Sequence, residues 1–181
     1  MSKPSDMYMP SLVLYAPMMA RIKHDALIAN LEAINFIGQP VAQETYLSGK
    51  DFFKYLSFLG CAPNLALNPD ESEQYLRIVT PQLAQPKLFF SPRAKPPLCL
   101  PCKAPIEDWK TSIDQTNKGS IQCQHCSEKS NIDALNLRKR ACYTQHLIQI
   151  MPVFESEAVP TESLFSAFEK QLHYAFKLAY I

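Results

Sequence analysis

The stretch HLIQIMPVFESEAVPTESLFSAFEKQLHYAFKLAYI, residues 146 to 181, contains three periodic segments in succession. Alternating apolar residues over 142–154 indicate a strand that runs into this stretch. Pro160 and Glu162 flank Thr161 in a typical helix start, and apolar residues then recur at helical spacing in Leu164, Phe165, Phe168 and Leu172. Residues 174–181 could continue this helix, but alternation in Tyr174, Phe176, Leu178 and Tyr180 favours a strand. The stretch therefore predicts a strand, a helix and a closing strand.

The N-terminal part of the chain repeats this order weakly. Residues 11–16 predict a strand, and apolar residues at helical spacing follow an N-cap candidate at Asp25. Gly38 can end that helix in a left-handed conformation, and residues 44–47 predict a short strand. Two such βαβ units that share one sheet form a ferredoxin-like layer. The sequence therefore predicts an α+β fold, ferredoxin-like or a related mixed sheet, with two or three helices.

The region between the two units predicts a further helix and more strands. A helix begins near Asp51 and ends at Gly60, with an apolar face of Phe52, Phe53, Leu56 and Leu59. Residues 64–68 and 74–80 predict two strands of a hairpin, because an acidic, turn-rich stretch separates them. Residues 87–91 predict one more strand.

Two cysteine pairs lie in the second half of the chain, as Cys99-Leu100-Pro101-Cys102 and Cys123-Gln124-His125-Cys126. Two residues between the cysteines of a pair allow both sulfurs to face one ion, while backbone N–H groups point at them. Four thiolates complete a tetrahedral shell, and zinc is the usual metal in such a shell. We therefore predict one zinc site with the metal ligands Cys99, Cys102, Cys123 and Cys126.

The two pairs resemble those of the zinc-ribbon class, whose members hold one zinc with four cysteines. The resemblance covers residues 99–126 and implies a zinc with a structural role. It departs from the usual ribbon after the second cysteine of each pair, where a glycine often adopts positive φ, because Lys103 and Ser127 occupy these places. The predicted organisation is an α+β domain of residues 1–91 and 141–181, with an inserted zinc-ribbon segment of residues 92–140.

Other uses of these cysteines remain open from the sequence. A rubredoxin-like iron site has the same four thiolates. A thiol redox site centred on Cys99 and Cys102 is a second alternative, because a proline separates them as in thioredoxin-like motifs. Such motifs normally open a helix, and Pro105 argues against a helix here. His125 is expected at the surface, and the two remaining cysteines, Cys61 and Cys142, are expected to be small buried residues.

Positive charge is concentrated around the cysteine pairs. Residues 87–140 contain ten Lys and Arg against five Asp and Glu, whereas the remainder of the chain contains eight against twelve. Basic side chains displace counterions from phosphates, so nucleic-acid contact is an alternative role. The residues predicted for that contact are Arg93, Lys95, Arg138, Lys139 and Arg140. The single tryptophan, Trp109, is expected to pack over the small core of the ribbon.

The sequence contains no catalytic set. Only four glycines occur and none are close together, which excludes glycine-rich phosphate-binding loops. No segment predicts an export signal or a membrane span, so we expect a cytoplasmic protein with reduced cysteines. The predicted function is a zinc-binding intracellular adaptor or interaction protein with a protein partner, rather than an enzyme. A nucleic-acid-binding zinc ribbon is the first alternative, and a CxxC thiol redox enzyme is the second.

Overall fold

The computed structural model describes residues 9–59, 66–116 and 119–181, without the side chains of 114–116. Its α-helices are α1 (His24–Ala33), α2 (Phe52–Tyr55), α3 (Trp109–Thr116) and α4 (Glu162–Leu172). Its strands are β1 (Leu12–Tyr15), β2 (Ile37–Ala42), β3 (Thr45–Ser48), β4 (Leu56–Phe58), β5 (Arg77–Val79), β6 (Lys87–Phe90), β7 (Ser120–Gln122), β8 (Lys129–Asn131), β9 (Ala141–Thr144), β10 (Leu147–Met151), β11 (Ala158–Pro160) and β12 (Lys177–Tyr180).

Six strands form the main sheet in the order β12-β1-β10-β5-β3-β2, and all neighbours are antiparallel. Strands β1 and β5 run in the same direction because both are antiparallel to β10, which lies between them. Strands β10 and β12 likewise run in the same direction on either side of β1. These two interlocked split βαβ units confirm the predicted α+β, ferredoxin-like layer. The second strand of the first unit is β5 and not the predicted strand over 44–47, because β3 is antiparallel to β5 and so runs opposite to β1. The β2–β3 hairpin extends it at one edge.

Both faces of the central strands are buried. Leu14 and Ile148 belong to the main core, together with residues of α1 and α4 such as Leu31 and Phe168. Val13, on the opposite face of β1, packs in a smaller cluster with Cys142, Leu147 and Ala179. Burial on both faces explains why apolar residues run through β1 and β10 instead of strictly alternating with polar ones.

Both predicted ends of α1 are wrong. Helix α1 ends at Ala33 instead of Gly38, and Asn35 takes the left-handed conformation with φ 52°. Phe36 and Ile37 are buried directly after it, so the chain turns early and Gly38 lies within β2. Asp25 lies in the first turn of α1 and is not its N-cap, because the helix begins at His24.

Helix α2 is much shorter than predicted. It ends at Tyr55, because the next residues, Leu56–Phe58, form β4 and pair with β11. The Thr161 N–H group also donates to the Tyr55 carbonyl at 2.9 Å, at the point where α4 begins. The predicted stop at Gly60 lies outside the described residues.

The predicted strand over 142–154 is divided into β9 and β10. The chain bends at Gln145 and His146, and the Thr144 hydroxyl donates to the Ala16 carbonyl at 2.9 Å beside the bend. Strand β9 therefore leaves the main sheet and pairs with β6. Of the predicted hairpin strands, 74–80 contains β5, whereas 64 and 65 lie outside the described residues and 66–68 form no strand.

A second hydrophobic cluster lies around the cysteine pairs. Trp109 and Ile113 of helix α3 pack in it with Cys99 and Cys123. Helix α3 lies between the two cysteine pairs in the chain, where the sequence patterns predicted no helix. Ala141 and Tyr143 of β9 also belong to this cluster, so β9 lies between the two parts of the structure. No helix among the described residues is long and apolar enough to cross a lipid bilayer.

Substitutions at Ile148 test the main core directly. This side chain is fully buried on β10, between β1 and β5. We expect Ile148→Ala to lower the free energy of unfolding by about 2–5 kcal/mol and Ile148→Val by about 0.5–1.5 kcal/mol. Urea denaturation followed by circular dichroism measures both. Equal effects of the two substitutions would contradict a tightly packed position.

Candidate metal centre

The first cysteine pair lies in a tight turn at the end of a minimal hairpin. Leu98 and Pro105 form an isolated antiparallel bridge just outside the pair. The Cys99 N–H group donates to the Ala104 carbonyl at 2.9 Å, and the Lys103 N–H group donates to the Cys99 carbonyl at 3.1 Å. These bonds fold Cys99 and Cys102 back toward the same side of the turn.

The second pair repeats this arrangement at the end of the β7–β8 hairpin. Gln122 and Lys129 pair in the same place as the first bridge. The Cys123 N–H group donates to the Glu128 carbonyl at 2.8 Å, and the Ser127 N–H group donates to the Cys123 carbonyl at 2.8 Å. The two turns therefore use the same backbone hydrogen bonds at the same sequence spacing.

Both turns contain a left-handed residue at the position that often holds glycine. Lys103 has φ 60° and Ser127 has φ 61°. A side chain in this conformation costs about 1–2 kcal/mol. The departure from the glycine pattern thus changes the energy of the turns but not their geometry, and both cysteine pairs adopt the same shape.

The four cysteine sulfurs converge on one point. All four lie within 4.8 Å of one another. The Cys99 and Cys126 sulfurs are 3.6 Å apart, and those of Cys102 and Cys123 are 3.7 Å apart. A tetrahedral zinc with Zn–S bonds of about 2.3 Å places its sulfurs about 3.8 Å apart, whereas a disulfide needs about 2.05 Å. The sulfurs therefore have the spacing of a shared metal ion, and these residues fit a zinc.

Backbone N–H groups determine which sulfur carries negative charge. Hydrogen bonds from the Cys126 and His125 N–H groups outweigh burial and lower the pKa of the Cys123 thiol to about 6. At Cys99 the Cys102 N–H group acts in the same direction, but burial and the neighbouring sulfurs raise the pKa to about 12. Without a metal, negative charge is therefore favoured at the Cys123 sulfur over the Cys99 sulfur. A bound cation would displace protons from the thiols that carry them.

The two sides of the four-cysteine cluster differ in their exposure to solvent. Cys99 and Cys123 are buried against Trp109, whereas Cys126 is exposed. The side-chain amide of Gln124 donates to the Asp108 carboxylate at 2.6 Å and ties the second turn to the start of α3. The packing of α3 thus holds the inner two sulfurs in place, while the outer side faces water.

The remaining predicted cysteine and histidine positions lie apart from the cluster. His125 is exposed, and the described metal-ligating group contains only the four cysteines. Cys142 is fully buried on β9, and burial raises the pKa of its thiol, as expected for an inert core residue. Cys61 lies outside the described residues. The first pair does not open a helix, since α3 begins only at Trp109.

The five basic residues predicted for nucleic-acid contact do not share one environment. Arg140 forms an ion pair with Glu155 at 2.8 Å. Arg93 and Lys95 are exposed, and Arg93 borders a separate cavity. Arg138 and Lys139 line a cavity of about 360 Å³ together with distant residues. Trp109 is only 2% exposed, which confirms that it packs in the core of this segment.

Sequence reasoning missed the residues that complete the cavity beside Arg138 and Lys139. Tyr15 of β1 and Lys177 of β12 both line it. These two residues lie near opposite ends of the chain, and only the pairing of β1 with β12 brings them together. No local sequence pattern marks such a site, because neither residue belongs to a motif.

No known protein family, curated protein or solved structure significantly matches this chain.

Glycine and alanine substitutions test the left-handed turn residues. At Lys103 and at Ser127 we expect the Gly variant to be more stable than the Ala variant by about 1 kcal/mol, because only glycine avoids the left-handed penalty. At the exposed Ser166 inside α4, we expect the Ala variant to be more stable than the Gly variant by about 1 kcal/mol. Chemical denaturation of the zinc-loaded protein measures all six variants. If the Gly and Ala variants had the same order of stability at all three positions, the left-handed conformation of Lys103 and Ser127 would be contradicted.

Proposed function

We propose that the four cysteines bind one structural zinc ion and that the protein is a cytoplasmic interaction module. The observation that carries the metal assignment is the convergence of four sulfurs within 4.8 Å. Bound zinc would link the two turns and neutralise charge among sulfurs that would otherwise repel one another.

Two features favour structural zinc over dithiol redox chemistry. The two sulfur contacts of 3.6 and 3.7 Å join cysteines of different pairs, which suits one shared ion better than two separate dithiols. The first pair also lacks the helix start that activates thioredoxin-like thiols. Iron would use the same four ligands, so elemental analysis must decide between the two metals.

We further propose that residues 92–140 are an insert stabilised by the metal. The main core contains none of the four cysteines, whereas the second cluster includes Cys99 and Cys123 and is small. A small cluster of this kind commonly requires a metal for stability. The sheet would then keep its fold without zinc, while the cluster around Trp109 would open.

The surface of the first turn supports a protein partner. Leu98 and Leu100 flank Cys99, and each is 43% exposed. Exposed apolar side chains on a rigid, metal-linked turn suit the apolar centre of a protein interface better than a phosphate backbone. The pairing of Arg140 with Glu155 and the burial of Trp109 also weaken the nucleic-acid alternative.

The metal assignment is tested by a substitution at Cys123. Protein purified without chelator should contain about one zinc per chain. Cys123→Ser should lose this zinc and shift the emission of the single tryptophan to longer wavelength, because Trp109 becomes exposed to water. Unfolding of the sheet should remain cooperative. The measurements are elemental analysis and tryptophan fluorescence.

His125→Ala is the matched control, since it changes the same turn without removing a sulfur. It should retain the zinc and the emission of the original protein. Full zinc content in Cys123→Ser would overturn the proposed site. One iron ion per chain in the original protein would show that the bound metal is iron instead of zinc.

The interaction role is tested by comparing partners in cell extract. A defined protein should be retained by the original chain and lost with Leu98→Asp and Leu100→Asp, because charge disrupts an apolar interface. Met19→Asp is the control, since Met19 is 65% exposed and belongs to the β1–α1 connection. Labelled RNA and DNA should show no binding between 50 and 200 mM salt. Strong binding that weakens steeply with salt would instead support the nucleic-acid alternative.

A further inference from the structure

A cavity of about 360 Å³ lies beside the segment that follows the second cysteine pair. Residues from this segment, including Arg138 and Lys139, form one wall. Tyr15 of β1, Phe165 of α4 and Lys177 of β12 contribute to the other walls. The volume falls within the range of small-molecule sites, which is about 300–1,000 Å³.

The charge around this cavity is mainly positive. Arg138, Lys139 and Lys177 line it, and none of them is among the ion pairs of the described residues. Asp133 contributes the one lining carboxylate, and one of its oxygens already accepts from the Met18 N–H group at 3.0 Å. With three cations against one carboxylate, the described lining carries a surplus of positive charge.

The backbone that carries two of these cations is strained. Arg138 and Lys139 are consecutive left-handed residues, with φ 54° and 55°. Such a conformation costs about 1–3 kcal/mol at each non-glycine residue, and it persists only when the surrounding structure enforces it. The Arg138 N–H group donates to the Asn136 side chain at 2.9 Å, and the Tyr180 N–H group donates to the Lys139 carbonyl at 2.8 Å.

These bonds hold the strained turn against β12 and keep both cations beside the cavity. Strained residues of this kind concentrate at ligand sites. The position of the turn is thus a second observation, independent of the cavity volume and of the charge count.

The remaining lining offers an apolar surface and a hydroxyl group. Phe165, Leu137 and Leu178 provide apolar walls. Burial, together with nearby Cys142 and Asp133, raises the pKa of Tyr15, so its hydroxyl stays protonated and is able to donate a hydrogen bond. The cavity therefore combines cations, a neutral donor and an apolar wall.

We propose that this cavity binds a small molecule with a phosphate or carboxylate group attached to a compact apolar body. Arg138 and Lys139 contact the oxyanion, since guanidinium groups bind both kinds of anion in a bidentate manner and lysine acts as a point charge. Phe165 and Leu178 contact the apolar body. None of the four cysteines lines the cavity. One of its walls belongs to the segment that the proposed zinc stabilises, so the site rests on the proposed function and its tests use the zinc-loaded chain.

Three small probes test the proposal in the full chain. Phenyl phosphate and benzoate carry the two candidate anions, and benzyl alcohol is their neutral counterpart. Titrations followed by ¹H–¹⁵N NMR should show binding of at least one anion, about tenfold or more tighter than the alcohol. The amide signals of Arg138, Lys139 and Lys177 should shift. Comparison of the two anions then identifies the preferred group.

Substitutions localise the binding. The double variant Arg138→Asn with Lys139→Asn removes two charges, and asparagine tolerates the left-handed conformation well. It should bind the preferred anion about tenfold or more weakly. Arg93→Asn with Lys95→Asn removes the same charge elsewhere on the segment and should leave the affinity unchanged. Lys177→Gln, on β12, is a further variant that leaves the strained turn untouched and should also weaken binding.

Three results would overturn the proposal. The first is equal affinity for the anions and for benzyl alcohol. The second is unchanged affinity in both cavity variants. The third is the absence of NMR shifts at the cavity at 20 mM probe, which is well above the dissociation constant of about 1 mM of a weak small-ligand site.

Discussion

The convergence of four sulfurs is the constraint around which the second hydrophobic cluster is arranged. Cys99 and Cys123 lie inside the second cluster, so the positions of their sulfurs also determine where Trp109 and Ile113 pack. Negative charge that is buried without compensation is costly. A divalent cation would remove this cost and fix both turns at once. The packing around α3 and the chemistry of the four sulfurs are therefore parts of one arrangement.

The surrounding structure, and not the turn residues themselves, imposes the geometry of the two cysteine turns, as Lys103 and Ser127 show. Neither residue favours positive φ, yet both adopt it in turns with matching hydrogen bonds. Arg138 and Lys139, which follow the second hairpin in the chain, adopt the same left-handed conformation. Left-handed residues other than glycine thus mark both candidate sites of this segment, the sulfur cluster and the positively charged cavity.

Much of the sheet could be predicted from sequence, because β1, β10 and β12 carry strong apolar patterns. The convergence of the cysteines was also predictable from the spacing of the two pairs. Helix α3 was not, since only Trp109 and Ile113 mark its buried side and short helices depend on tertiary packing. The end of α1 at Ala33 was missed because burial of Phe36 overrides the glycine signal at Gly38.

The charge pattern illustrates a different limit. A surplus of positive charge in residues 87–140 suggested one basic face, but the fold divides these side chains. Arg140 is paired with Glu155, whereas Arg138 and Lys139 join Lys177 around a cavity. Charge counted along a sequence does not reveal which acidic partner the fold supplies, nor which residue from another strand completes a site.

X-ray absorption spectroscopy at the zinc edge tests the central claim most directly. The zinc-loaded protein should show four sulfur neighbours at about 2.3 Å and no nitrogen or oxygen ligand. Three sulfurs with one nitrogen would instead indicate that a histidine such as His125 replaces a cysteine. A shell dominated by oxygen would contradict the four-sulfur centre.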